Sequence, residues 1–259
     1  MTLSPKPERS KVPELTLAFW ILKVAATTLG EIGGDAVSMS MNLGYLIGSL
    51  IFGAIFLVVA VAQVRADRFR PALYWSTIVA TTTVGTTVAD YADRSLGVGY
   101  AGGSAILSVL LLASLVTWHR MSGTVAVASV SSPRAESFYW ITIFFSQTLG
   151  TALGDWTVDT AGLGYRGGIA IFAGLLTVVI LAWWATSVSR TALFWAAFVL
   201  TRPLGAVLGD FLDKPIAQGG LALSRYSASI VLAVFMVFTI LLFPPRAAAL
   251  VGASSGRPK

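Results

Sequence analysis

Cysteine is absent from the 259 residues, and histidine occurs once, at His119. No disulfide and no thiolate metal site is therefore open to this chain. A single imidazole also removes His-cluster metal centres and most His-based catalysis. Charge is scarce. Asp, Glu, Lys and Arg make up 12% of the residues, about half of what a soluble domain carries. What is present instead is apolar: 56% of residues are hydrophobic, and mean hydropathy is +0.78. These shortages exclude an ordinary water-soluble domain and point to a fold solvated by lipid. No Ser-His, Cys-His, zinc or phosphate-loop pattern occurs, so no enzyme is expected. The opening residues, MTLSPKPERSKVPE, are polar and basic, and no cleavable signal is expected there.

A spanning helix needs about 20 mostly apolar residues. Eight segments qualify, at about 14–37, 43–64, 71–91, 101–118, 137–156, 167–187, 191–212 and 222–243. Their apolar runs are continuous rather than alternating, which argues against strands. They predict an all-α integral membrane protein of eight transmembrane helices. The tails 1–13 and 244–259 carry Pro, Gly and Ser and are expected to be loosely ordered.

Basic residues sort by side. Lys6, Arg9, Lys11, Arg65, Arg68, Arg70, Arg120, Arg134, Arg190, Arg246, Arg257 and Lys259 fall on one side, twelve of the eighteen Lys and Arg. The opposite loops hold Arg94, Arg166, Lys214 and Arg225. The positive-inside rule then predicts a multi-pass protein with both termini in the cytoplasm. The formal net charge of +6 reports this topology, and no nucleic-acid partner is needed.

Four segments align without gaps: FWILKVAATTLGEIGGD (19–35), YWSTIVATTTVGTTVAD (74–90), YWITIFFSQTLGTALGD (139–155) and FWAAFVLTRPLGAVLGD (194–210). Each holds a Trp (Trp20, Trp75, Trp140, Trp195) and a first glycine (Gly30, Gly85, Gly150, Gly205). A second small residue follows (Gly34, Ala89, Gly154, Gly209), then an aspartate (Asp35, Asp90, Asp155, Asp210). A second element, LGYLIG (43–48), LGVGYAGG (96–103) and LGYRGG (163–168), follows three of the four. Such a period signals tandem repeats. Two spans per unit give all four units one orientation, so the repeats are parallel and a pseudo-symmetric bundle is expected, pseudo-fourfold or a dimer of two-unit halves around a common axis. The chain divides into a tail (1–13), repeat 1 (14–70), repeat 2 (71–120), a linker (121–135), repeat 3 (136–189), repeat 4 (190–243) and a second tail (244–259).

Trp and Asp stand about 22 Å apart along each motif helix. The four tryptophans are expected as interface anchors. The Gly-x-x-x-Gly spacing is expected to pack helices closely. The aspartates are costly inside a bilayer and call for a polar interior or a partner. Glu31 precedes Asp35 by one turn, and a stripe of threonines (Thr28, Thr83, Thr87, Thr148, Thr151) is expected to extend the same face. Asp93, Asp159 and Asp213 add second carboxylates one turn later, at an outer mouth. Carboxylates near helix C-termini oppose the helix dipole, so compensation is required. Two readings stay open: pairing with Arg94, Arg166, Lys214, Arg202 or Arg225, or a shared site for a cation or protons. Arg202 is expected to reach an acid of another unit or to snorkel, and Lys23 to snorkel.

With these units in view, the chain resembles the uncharacterised bacterial membrane-anchored proteins made of four tandem repeats, each with two transmembrane regions and a tryptophan. The resemblance covers about residues 14–243 and implies eight helices in the bacterial inner membrane. It implies no activity. Cation exporters of the manganese and calcium type carry Glu-x-Gly-Asp motifs, but Glu31-Ile-Gly-Gly-Asp35 has one residue too many, so the likeness is one of chemistry.

The leading expectation is a membrane transporter, an exporter of a cation, divalent metals included, or a proton-coupled carrier. Glu31, Asp35, Asp90, Asp155 and Asp210 would bind the ion or relay protons, and the four aspartates would be the metal ligands. The alternatives are a channel or proton pathway along the pseudo-fourfold axis, and a non-transporting scaffold or sensor. The expected partners are the lipid bilayer and a small cation or protons. No cofactor is expected beyond a bound cation.

Overall fold

A computed structural model describes residues 9–249. Eight long helices run through it: α1 (Leu17–Asp35), α2 (Gly44–Arg65), α3 (Pro71–Asp90), α4 (Gly99–Ser122), α5 (Pro133–Asp155), α6 (Gly164–Ala185), α7 (Arg190–Asp213) and α8 (Arg225–Leu242). Six of them, all but α3 and α5, are long and apolar enough by composition to cross a membrane. α3 and α5 match the others in length but are more polar, with a run of threonines in α3 and Glu136, Ser146 and Gln147 in α5. Both are inner helices, flanked by protein on most sides, so they need less apolar surface.

α1 packs on α3, α3 on α5, α5 on α7, and α7 on α1, closing a ring of four motif helices. Each even-numbered helix packs outside on the inner helix of the next repeat: α2 on α3, α4 on α5, α6 on α7, and α8 on α1. Leu57, Val58, Val109, Leu181, Val231 and Leu241 stand exposed on these outer helices and form a lipid-facing surface. The result is an all-α membrane bundle with fourfold pseudo-symmetry.

The glycines show how the ring closes. A methyl group at Gly30 would collide with Thr82, at Gly85 with Gln147, at Gly150 with Arg202 and at Gly205 with Thr27. In every case the neighbour stands three residues before the first glycine of the following repeat, and the fourth repeat returns to the first. Gly34 meets Thr86, Gly154 meets Ala206, and Gly209 meets Glu31. Ala89, at the same position in repeat 2, is buried. Small residues let these backbones approach closely, as membrane helix packing requires.

The motif aspartates of repeats 1 to 3 each end an α-helix and open a π-helical turn: Ala36–Ser40, Tyr91–Ser95 and Trp156–Thr160. π turns insert one extra residue and re-aim the side chains that follow. α7 has no such turn and stays α-helical to Asp213. The second repeat element then serves backbone geometry. Gly44, Gly99 and Gly164 have φ of 75°, 74° and 63°. Two residues earlier, Asn42, Gly97 and Gly162 also have positive φ. Glycine enters this region freely and asparagine tolerates it, which accounts for Asn42 among glycines.

Two departures from expectation concern the ends and the linker. The tails were expected to be loosely ordered. Within the described residues, β1 (Arg9–Pro13) and β2 (Ala247–Ala249) instead pair antiparallel. Ser10 Oγ donates to the carbonyls of Val127 and Val130, and Lys11 Nζ donates to Glu136 at 2.8 Å and to the Val64 carbonyl. Gln63 also donates to Glu136. These partners lie far along the chain, so no local pattern announces the clasp. Residues 1–8 and 250–259, with Lys6, Arg257 and Lys259, lie outside the described residues. The 121–135 linker is also partly helical. α4 runs to Ser122, where Gly123 (φ 72°) caps it, and α5 begins at Pro133 behind the N-cap Ser132.

Candidate functional site

Residues four apart on each inner helix form the wall of the ring. They are Lys23, Thr27, Glu31 and Asp35 on α1; Ile78, Thr82, Thr86 and Asp90 on α3; Ile143, Gln147, Thr151 and Asp155 on α5; and Phe198, Arg202, Ala206 and Asp210 on α7. All of these are buried. They stack in four layers, one residue per helix per layer, about 6 Å apart along the helices.

The most interior layers hold a cross of four side chains. Arg202 pairs with Glu31 at 2.9 Å, and both are buried. Arg202 also donates to Thr86 Oγ1 at 2.7 Å and to Thr151 Oγ1. Thr86 and Thr151 in turn donate to Glu31, at 3.1 and 3.3 Å. Each of the four inner helices thus contributes one member. Arg202 was expected to reach an acid of another unit or to snorkel; it reaches Glu31. Lys23 does not snorkel. Its side chain is fully buried, its Nζ donates to Gln147 Oε1 at 3.3 Å, and it lies 4.2 Å from the centre of the Phe198 ring.

The aspartate layer is built from two cation-bridged pairs. Arg94 contacts Asp90 at 2.9 Å and Asp155 at 3.0 Å. Lys214 contacts Asp35 and, at 3.1 Å, Asp210. Each base sits four residues after the motif aspartate of its repeat, in repeats 2 and 4 only, so the charges obey a twofold rather than a fourfold pattern. Arg225 joins Asp213 and lies 3.6 Å from Asp35. Burial opposes the charge on Lys214, but Asp210, Asp35 and Asp213 outweigh it and hold the amine above its ordinary value. The four aspartates expected as one set of metal ligands therefore have an ammonium and a guanidinium between them. Asp35, Asp210 and Asp213 bring carboxylate oxygens within 4.8 Å of one another, around that same ammonium.

The second carboxylates differ. Asp213 is buried and paired. Asp159 is exposed. Asp93 is buried against Gly103, and neither of its carboxylate oxygens has a hydrogen-bond partner among the described residues. Arg225 corresponds to Ala105 in repeat 2, which offers no base. Arg166 is exposed and forms no ion pair among the described residues. Two tyrosines of the second repeat element flank Arg94: the Tyr45 hydroxyl accepts from it at 3.3 Å, and the Tyr100 ring centre lies 5.7 Å away.

Several expected positions fall elsewhere. Thr28, Thr83 and Thr148 were expected on the carboxylate stripe, but their hydroxyls bond to carbonyls of their own helices, at Val24, Val79 and Phe144. Thr87 bonds to Val84 in the same way. Thr151 alone of that set joins the cross, and Thr86 takes the matching place on α3. The true stripe is the series Asp35, Glu31, Thr27, Lys23 continued at four-residue steps. The Glu31–Asp35 spacing was the signal for it.

Three of the four tryptophans are not lipid-facing anchors, and Trp20 is half-buried. Trp75, Trp140 and Trp195 are 2%, 3% and 6% exposed. Each packs on the aromatic residue of the preceding repeat: Phe19 with Trp75 at 5.6 Å, Tyr74 with Trp140 at 5.6 Å, Tyr139 with Trp195 at 6.2 Å, and Phe194 with Trp20 at 6.0 Å. This belt of eight rings ties the inner helices together at their N-terminal ends. The Tyr74 and Tyr139 hydroxyls share a hydrogen bond of 2.6 Å within it. Val12, Trp118, Val127 and Val130 pack into the same apolar cluster. Aromatic pairs tilted or edge-on add to the burial that drives this packing.

Fold and site together define a multi-pass membrane protein of four tandem two-helix repeats around a buried charged axis. The family described as "Repeat of Unknown Function (DUF347)" matches residues 18–69, 73–124, 138–189 and 193–244, and the chain belongs to it. No curated protein and no solved structure matches the chain.

Proposed function

We propose that this protein moves a small cation or protons across the membrane, with the aspartate layer as the loading site. One observation carries the reading. Five buried carboxylates, Asp35, Asp90, Asp155, Asp210 and Asp213, share three bases, Arg94, Lys214 and Arg225, and a sixth, Asp93, pairs with none of the described residues. That imbalance in a low-dielectric setting is met by bound protons or cations. The aromatic belt closes the other end of the ring, which favours a carrier that alternates between closed states over an open channel. Bases at helix ends and in the loops on one side of the bundle (Arg65, Arg68, Arg120, Arg134, Arg246) support an orientation with both termini in the cytoplasm, as in a bacterial inner-membrane protein.

The test is flux. Purified protein in liposomes should show saturable movement of protons or of a metal ion, and Asp155→Asn should depress it. Unchanged metal content and tolerance in cells lacking the gene, together with no flux in liposomes, would rule the proposal out. A non-transporting scaffold is the second reading, favoured by the engagement of all four motif aspartates with Arg94 or Lys214.

A further inference from the structure

Arg202 does more than balance one carboxylate. Its side chain leaves α7 across Gly150 of α5 and reaches Thr86 of α3, on the far side of the ring. Through Glu31 it also touches α1. One guanidinium thus contacts all three other inner helices and blocks the axis between the aspartate layer and the Lys23 layer. A guanidinium stays charged at any working pH. A metal ion following the axis from the aspartates meets this fixed positive charge in a low-dielectric interior, where repulsion is strongest. Lys23, two turns further along α1, adds a second basic group in its path.

A proton meets a different route. An aspartate carboxyl of the loading layer releases its proton, and an O–H bond forms on Glu31 as the aspartate O–H bond breaks. Glu31 is then a neutral acid, and its ion pair with Arg202 is relaxed. When Glu31 ionises toward the Lys23 side, its O–H bond breaks, a water molecule entering from that side takes the proton as hydronium, and the pair with Arg202 re-forms, so the cross ends as it began. Thr86 and Thr151, donating to Glu31, hold the carboxylate in place throughout. Resting on the transport reading above, we infer that the Glu31–Arg202 cross is a selectivity barrier that passes protons through Glu31 and excludes alkali and alkaline-earth cations.

The experiment uses the full chain in liposomes, with an internal pH dye and separate K⁺ and Ca²⁺ flux assays. The wild type should move protons and neither metal ion. Glu31→Gln should lower the proton rate about a hundredfold, the usual scale for removing a positioned proton carrier. The double variant Glu31→Gln/Arg202→Gln removes both charges together, which avoids a lone buried ion and favours folding. It should admit K⁺, while Arg202→Lys should still exclude it. Elution as a single species in detergent checks that each variant is folded. Wild-type proton flux with an unchanged rate in Glu31→Gln, or with K⁺ still excluded by the double variant, would overturn the barrier and leave the transport reading standing. K⁺ or Ca²⁺ flux through the wild type would overturn it in the same way. Absence of any wild-type flux would overturn both.

Discussion

The Arg202 guanidinium lies 2.9 Å from the Glu31 carboxylate, yet neither residue has an equivalent in the other three repeats. The corresponding positions hold Thr27, Thr82 and Gln147 in one layer and Thr86, Thr151 and Ala206 in the next. A charge pair has been placed inside an otherwise repeated frame. Breaking one partner of a buried pair leaves an uncompensated charge, which costs about 3–5 kcal/mol. Arg202→Gln should therefore lower the melting temperature in detergent more than the double variant with Glu31→Gln does. Equal losses would mean that the pair is not a coupled unit.

The glycine contacts predict a graded response to small substitutions. Gly150→Ala places a methyl group against the base of the Arg202 side chain and should destabilise by about 1–3 kcal/mol through overpacking. Gly33→Ala has nothing within 4 Å of the added carbon and should be neutral or slightly stabilising. Thermal unfolding of the two variants under one detergent condition makes the comparison.

The aromatic belt separates two kinds of tryptophan. Trp75→Ala removes a fully packed ring from the contact between repeats and should cost about 3–5 kcal/mol. Trp184 is 81% exposed at the end of α6, and its replacement by alanine should change stability by less than about 0.5 kcal/mol. Similar losses at both positions would contradict the belt.

Asp93 is a buried carboxylate without a partner among the described residues, and repeat 1 carries Ser38 at the matching position. Asp93→Ser should raise stability by about 1–3 kcal/mol, because a buried carboxylate is exchanged for a hydroxyl, which costs less to bury unpaired. It should also slow transport if that charge loads protons, the usual exchange of stability against function. A lower melting temperature in Asp93→Ser would show that the carboxylate is satisfied in the folded protein.

Much of this protein was legible in its sequence. Continuous apolar runs specify spanning helices because lipid offers no partner for open backbone groups, and the fixed spacing of Trp, Gly and Asp specifies four like-oriented units. The list of bases available to the aspartates was legible too, and Arg94, Lys214 and Arg225 came from it. What tertiary structure decided was which residue faces which. A helix wheel places Thr28 beside the aspartate face, but the ring closes through positions four residues apart, so Thr27 and Thr86 line it and Thr28 does not. The tryptophans read as lipid anchors because a single helix cannot show that the preceding repeat will pack against them. The pairing of β1 with β2 joins residues at opposite ends of the chain. These outcomes depend on the closure of repeat 4 onto repeat 1, a contact between distant segments that local propensity and spacing do not encode.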